Sequence, residues 1–281
     1  HCYLHVVDQH LGPRAVRHVS AGLRRVHLDF NINPWKKKKI FDLGDVALPH
    51  ANNNEKCIED ITNFYKKIAN ENKPVVSIGG DHSITGGILQ GLGSNALEMT
   101  KGKKISFLHI DAHTDTFSQL DHFMGAKKSA AHWGAYLVEQ GIIDPKTSMQ
   151  IGMRGNPRTL DWLQPSYDLG YNVVTMDEFQ KRGIDDVIKE TLDKIGDNPV
   201  YITFDLDSLD SSVAPAVSNI EPGFTGFTID EAKALIQSVK NKNVIGGDVV
   251  CLMPTKDQKN NITAMVAASI MFEIISVIAF K

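Results

Sequence analysis

Along the chain, short apolar runs alternate with stretches whose apolar residues recur at helical spacing. Lys39–Leu48 reads as a strand and its exit. Glu55–Glu71 places Ile58, Ile61, Phe64, Tyr65 and Ile68 on one face of a helix. Lys73–Ser83 is a strand running into a glycine turn, with a helix through Gly86–Leu92 behind it. Lys104–Asp115 is a buried strand with its polar residues gathered at the C-terminal end. Ala130–Asp144 reads as a helix that stops at Gly141, and Ser148–Gly155 as a strand. Asn172–Phe179 is a strand followed by a helix around Ile184–Ile195, and Pro199–Asp210 is the next strand. Thr228–Lys240 opens with a Thr cap and an acidic first turn, and Val244–Pro254 is the last strand. The apolar tail Ile262–Phe280 approaches membrane-span length, but Thr263, Ser269, Glu273 and Ser276 interrupt it, which points to a helix packed under a sheet. Repeated strand–helix alternation predicts an α/β fold with a mainly parallel sheet and helices on both faces. No linker or repeat divides it, so residues 1–281 are read as a single domain. Ligands of such sheets bind outside the carboxyl ends of the strands.

Composition narrows the partners. The 281 residues are 42% apolar and 22% charged with a formal net charge of −3, which argues against nucleic acid or an acidic membrane as partner. Lys36–Lys39 is the one basic run and reads as a solvated loop. Cys2, Cys57 and Cys251 are too few, and odd in number, for a disulfide framework, so a cytoplasmic location is expected. The chain opens on His1, so the native N-terminus is expected to be missing.

Three segments carry candidate chemistry, each at the end of an expected strand: Gly79-Gly80-Asp81-His82-Ser83, Asp111-Ala112-His113-Thr114-Asp115 and Asp205-Leu206-Asp207-Ser208-Leu209-Asp210. Carboxylates leaving buried strands are costly without positive charge nearby, and metal ions supply it. Asp205 and Asp207 lie two apart, on one face of a strand. Taken singly, the first segment could be a turn with a capping Asp and the third a pair of carboxylates bonded to loop amides. Together, His82, Asp111, His113, Asp115, Asp205 and Asp207 offer two imidazoles and four carboxylates, enough for two divalent ions with shared carboxylates. Mixed N/O donors suit Mn2+, with Ni2+ and Co2+ next in line. Two ions close together lower the pKa of water held between them. No cysteine neighbours these residues, which disfavours structural zinc.

With these motifs the sequence resembles the ureohydrolase family of arginases, agmatinases and guanidino-acid hydrolases, and its agmatinase-like branch in particular. The resemblance begins at Gly12-Pro13-Arg14-Ala15-Val16-Arg17 and runs through Asp42-Leu43-Gly44-Asp45, the first two segments above, Gln150–Gly155 and Thr203–Asp210. It implies an arginase-like three-layer α/β/α sandwich, usually assembled into trimers or hexamers. It implies two manganese ions on the six residues, and hydroxide attack on a guanidinium carbon that yields urea and an amine. Asp115 and His132 are the residues expected to handle protons. Deacetylases of this fold use one zinc, whereas the full two-metal set is retained here.

Three departures from the family pattern fall on the substrate side. The family's proton-shuttling histidine aligns with Ala130; His132, two residues on, and His122 are the candidates to replace it, and His132 could equally be a helix-face residue beside Trp133. The family's small "GTGT" turn has become Ala216-Val217-Ser218-Asn219, ahead of matching Glu221, Pro222 and Gly223; Asn219 and Glu221 are expected to border the substrate. The family glutamate that pairs with the guanidinium is Cys251 in this chain. Two divalent ions, four carboxylates and a hydroxide leave a single net negative charge, and a neutral thiol adds none. Three readings follow. The substrate is a weakly basic guanidine of acylguanidine, guanylurea or biguanide type; or Glu221 or Asp257 supplies the missing charge; or the chain is a non-catalytic supporting subunit of a hetero-oligomer. Cys251 as a nucleophile has no histidine near it in sequence, and the plain alternative is a small buried strand residue.

Overall fold

The computed structural model describes residues 8–93, 97–120, 125–221 and 223–281. Six strands form one parallel sheet: β1 (Val75–Ile78), β2 (Ser106–Ile110), β3 (Met149–Met153), β4 (Asn172–Thr175), β5 (Pro199–Asp205) and β6 (Asn243–Val250). Their order is β1-β6-β5-β2-β3-β4, every pairing parallel. The near-continuous apolar character of β2, β3 and β5 follows from burial on both faces. Along β2, Leu108 and Ile110 pack into one core with Ile202, Phe204, Val249, Leu235 and Ile274. Phe107 points the other way, into a second core with Tyr201, Ile245, Ile61, Leu89 and Trp133. Helices therefore cover both faces, as the expected three-layer sandwich requires.

Topology places the strand ends. From β2 the chain proceeds outward through β3 to β4, whereas from β5 it moves the opposite way to β6. The path reverses between the paired strands β2 and β5, and such a reversal opens a crevice at the carboxyl edge. Register sharpens this. Ile110 pairs with Phe204, Phe204 with Val249, and Val249 with Ile78. The next residues, Asp111, Asp205, Val250 and Gly79, therefore emerge side by side along the same edge.

The elements largely follow the hydrophobic pattern. The helix Asn54–Ala69 is capped by Asn53, and Ile229–Ser238 opens on a Thr228–Glu231 capping box. Ile262–Phe280 is long and apolar enough to cross a membrane, yet 61% of that stretch is buried within the fold, and it packs on β6 and the helices Gly12–Ser20 and Ile229–Ser238.

Lys39–Leu48 is not a strand. It is an irregular segment in which Phe41 and Leu43 are exposed. Asp42 accepts from the Gly44 amide, which turns the chain, and Gly44 sits at φ 79°. Arg17 holds this turn through ion pairs to Asp42 at 2.8 Å and Asp45 at 2.9 Å. Two of the resembling motifs thus bind each other at the surface. Asp257 is also accounted for: its carboxylate accepts from the Thr263 and Ala264 amides at 3.0 and 2.9 Å, at the N-terminus of the last helix. Its carboxylate is thereby committed to capping that helix.

Candidate metal centre

The six expected ligands meet at the β2/β5 crevice. His82 leaves β1 through Gly79-Gly80, while Asp81 caps the helix Ser83–Gly93 by accepting from the Ser83 amide and hydroxyl. Its capping role and His82's ligand role thus coexist in one turn. Nδ1 of His82 lies 2.9 Å from Asp111 Oδ2, 3.0 Å from Asp115 Oδ2 and 3.3 Å from Asp205 Oδ2. None of the three is in line for a hydrogen bond, so this buried nitrogen has no hydrogen-bond partner among the described residues. A lone pair directed between three carboxylates is the arrangement a cation needs. On the other side, His113 Nδ1 lies 3.5 Å from Asp111 Oδ1 and 3.2 Å from Asp207 Oδ2. Asp111 faces both histidines, one oxygen each, as a bridging carboxylate would. Among the described residues the donor atoms fall into two groups that could each hold an ion: His82, His109, Asp111 and Asp115, with Asp205 Oδ2 3.3 Å from His82 Nδ1, and Asp111, His113 and Asp207.

Backbone conformation aims these carboxylates. Asp115 takes a left-handed φ of 51°, turning back toward His82, and Trp133 Nε1 donates to its Oδ2 at 2.9 Å. Gly134 lies under this turn; a β-carbon there would come within 2.9 Å of Asp115 O. Asp205 Oδ1 accepts from the Asp207 amide, and Asp111 Oδ1 from the His113 amide. Cys251 also has a left-handed backbone, with φ 70°.

The electrostatics is that of a shell short of positive charge. Burial opposes a charged His82, but Asp111, Asp115 and Asp205 outweigh it and raise its pKa well above the ordinary imidazole value. Desolvation is likewise overcome at His113 by Asp207, Asp111 and Glu221. Burial works to raise Asp111, but His109, His113 and His82 hold it well below the usual carboxylate range. Burial, then the neighbouring charge of Asp205, push Asp207 well above that range. Protons stand where metal charge would otherwise be needed.

Several contributors lie outside the six-residue set. His109, on β2, meets Asp111 Oδ2 through Nε2 at 2.7 Å. Gln150 donates one amide hydrogen to Thr114 O, which fixes its orientation, and another to His109 Nδ1. Nδ1 therefore accepts, Nε2 carries the proton, and His109 orients the bridging carboxylate. Arg154, buried after β3, donates to the carbonyls of Asp207, Ser208 and Leu209 and so grips the loop that carries Asp207.

The expected substrate-side residues are distributed unevenly. Glu221 Oε1 lies 3.2 Å from His113 Nε2, and His113 leaves 32% of its side chain exposed. Asn219 is half-buried in the same loop. Cys251 is a buried free thiol whose amide donates to Gly80 O; burial, then Asp205 and Asp207, push it well above its ordinary pKa. The altered loop and Cys251 are neighbours, because Val217 bridges Leu252 and Ala216 O accepts from the Met253 amide. His132 lies just before Trp133, with Nδ1 2.8 Å from Ser129 Oγ and Nε2 2.8 Å from Leu120 O; neither donor cluster includes it. His122 lies outside the described residues.

Comparison with known proteins accords with this centre. The Arginase family profile matches residues 6–276. The mitochondrial guanidino acid hydrolase of Homo sapiens is 33% identical over 264 residues, covering 94% of this chain and 71% of that protein. An agmatinase of Citrobacter koseri is 32% identical over 278 residues, covering 96% and 81%. The proclavaminate amidino hydrolase of Streptomyces clavuligerus superposes with a TM-score of 0.85 at 28% identity, covering 96% of this chain and 85% of its own. An α/β/α hydrolase of C–N bonds, with a His/Asp cluster that could hold metal ions, is the class that fold and site define. The chain belongs to the arginase family, in its agmatinase-like branch.

Proposed function

We propose that this chain hydrolyses a weakly basic guanidino compound, of acylguanidine, guanylurea or biguanide type, to urea and an amine, rather than arginine or agmatine. The observation that carries this is Cys251. Burial keeps its thiol neutral beside Asp205, and the position resembles that of the family's guanidinium-binding glutamate. Withholding a partner from a buried cation typically costs about 3–5 kcal/mol. Glu221 does not make up the difference, because its carboxylate is already engaged by His113 and the Asn156 amide. A delocalised, weakly basic guanidine does not need the full counter-charge.

The donor set suits Mn2+ before Ni2+ or Co2+, and ions held by it would acidify water and polarise the substrate. The chain's own groups do the rest. Asp111 spans the two donor sets and fixes their separation. Asp115, anchored through Oδ2 to Trp133, is our candidate for accepting the proton of the attacking water. His132 is our candidate for protonating the departing amine. His132→Asn should lower kcat while leaving metal content unchanged; an unaltered kcat would assign His132 to holding the loop through Leu120. Asn219 and Glu221 border the substrate in this reading. The chain works in a reducing, cytoplasmic setting, as a homo-oligomer.

The deciding experiment measures urea and ammonia released by metal-loaded protein from a panel of alkylguanidines, acylguanidines, guanylurea and biguanides. Turnover should favour the weakly basic members over agmatine by about tenfold or more, or roughly 1.4 kcal/mol. Fully loaded protein that releases nothing from any of them would overturn the reading and leave the supporting-subunit role. Activity of the purified chain alone would exclude that role.

A further inference from the structure

Behind His82, buried polar groups form a chain of hydrogen bonds that does not belong to the ligand set. His82 Nε2 lies 2.8 Å from Thr203 Oγ1, on β5. Thr203 Oγ1 donates to Asp248 Oδ1, on β6, at 2.7 Å. The other Asp248 oxygen accepts from Thr85 Oγ1 at 2.8 Å and from Tyr201 Oη at 2.9 Å. Thr85, Thr203, Tyr201 and Asp248 are fully buried, and His82 almost so.

The direction of these bonds has a consequence for the metal centre. Three hydroxyls, those of Thr203, Thr85 and Tyr201, donate to Asp248, so Thr203 spends its one hydrogen there. Its oxygen can then only accept from His82, and Nε2 must carry the imidazole proton. The lone pair of the neutral ring is thereby assigned to Nδ1, the atom that faces Asp111, Asp115 and Asp205 without a hydrogen-bond partner. With the opposite tautomer, a proton would sit where the ion must bind. Thr85 and Tyr201 hold Asp248 from two directions, so the acceptor cannot swing away. The His113 side is built differently, because its Nε2 meets Glu221, on a loop.

We propose that Thr203 and Asp248 are positioning residues that set the tautomer of His82 and thereby control the affinity of one of the two ions, leaving the ion on the His113 side largely unaffected. This rests on reading the cluster as a two-ion centre. Partners of this kind typically contribute 10–100-fold to metal affinity.

The test is equilibrium dialysis of the full chain against Mn2+, with free ion read by electron paramagnetic resonance, for the unaltered protein and for Thr203→Val, Thr203→Ser and Asp248→Asn. In Thr203→Val one ion should bind as before and the other about 10–100-fold more weakly. Thr203→Ser should restore the second ion, and Asp248→Asn should weaken it in the same direction. Two ions held as tightly by Thr203→Val as by the unaltered chain would overturn the proposal, as would equal weakening of both ions or failure of serine to rescue. If Asp248→Asn does not fold, the valine and serine pair carries the test alone. An unaltered chain that takes up fewer than two ions would refute the two-ion reading itself, and the proposal with it.

Discussion

The two halves of the metal centre share Asp111 but are built on opposite plans. The His82 half is enclosed. Its imidazole is almost fully buried; Asp111, Asp205 and Thr203 lie on β2 and β5 or within one residue of a strand end, Asp248 backs Thr203 from β6, and Asp115, on the loop after β2, is pinned by Trp133. The His113 half opens outward. A third of the His113 side chain is exposed, and its outer nitrogen meets Glu221 on a loop with a left-handed φ of 46°. One half is supported by buried side-chain hydrogen bonds from residues on strands and a helix; the other is set where a substrate can arrive and where sequence change is tolerated. The family departures obey this division. The Ala216–Asn219 turn lies in the Glu221 loop, and Cys251 sits beside it across the Val217–Leu252 bridge, while all six expected ligand positions match the family pattern.

The bridging carboxylate is where the two halves should fail together. Asp111→Ala is expected to leave less than one ion per chain and to lower urea release by about 10³-fold or more, roughly 4 kcal/mol, measured by elemental analysis and a urea assay. A variant that kept one ion at unchanged affinity would show that the halves are independent. On the open side, Cys251→Glu should improve kcat/KM for agmatine relative to guanylurea by about 100-fold, with metal content unchanged. Unchanged selectivity would place Cys251 away from the substrate. Glu221→Gln removes the charge that faces His113 and should raise KM by about tenfold, with kcat and ion stoichiometry little altered. Loss of an ion in that variant would mean that the open half depends on its loop as the closed half depends on Thr203.

The smallest expected effect is on stability against pH. His82 and His113 have pKa values raised by folding, and Asp207 is raised as well. Metal-free protein should therefore have the full imidazolium contribution below about pH 6.5 and lose it as pH rises through the raised folded values. Asp207 acts in the same direction. Ions replace those protons, so Tm should fall with rising pH in chelator and hold steady in Mn2+. Parallel curves would indicate that the centre is not charge-starved when empty.

Much of this was legible in the sequence. The strands announced themselves as apolar runs because both faces of the sheet are buried, and the ligands because they cluster within five or six residues at strand ends. What stayed hidden acts across distance. Thr203 and His82 are 121 residues apart, and Arg154 reaches loop carbonyls 53 to 55 residues away. Thr203 and Arg154 both fall inside or beside segments that the resemblance picked out, but no linear spacing reveals what either residue touches. Lys39–Leu48 misled in the other direction: Phe41 and Leu43 look like strand positions, but Asp42, Gly44 and Asp45 make a turn that Arg17 ties to the surface.

The left-handed backbone at Cys251 gives that position a further property. A residue with a β-carbon gives up about 1–2 kcal/mol in this conformation, and glycine gives up almost nothing. Cys251→Gly should therefore make the protein slightly more resistant to heat while stripping the sulfur from beside Asp205. Robustness and discrimination pull in opposite directions at this one residue. Selection for heat tolerance alone would be expected to erase the side chain, whereas selection on substrate choice would keep it.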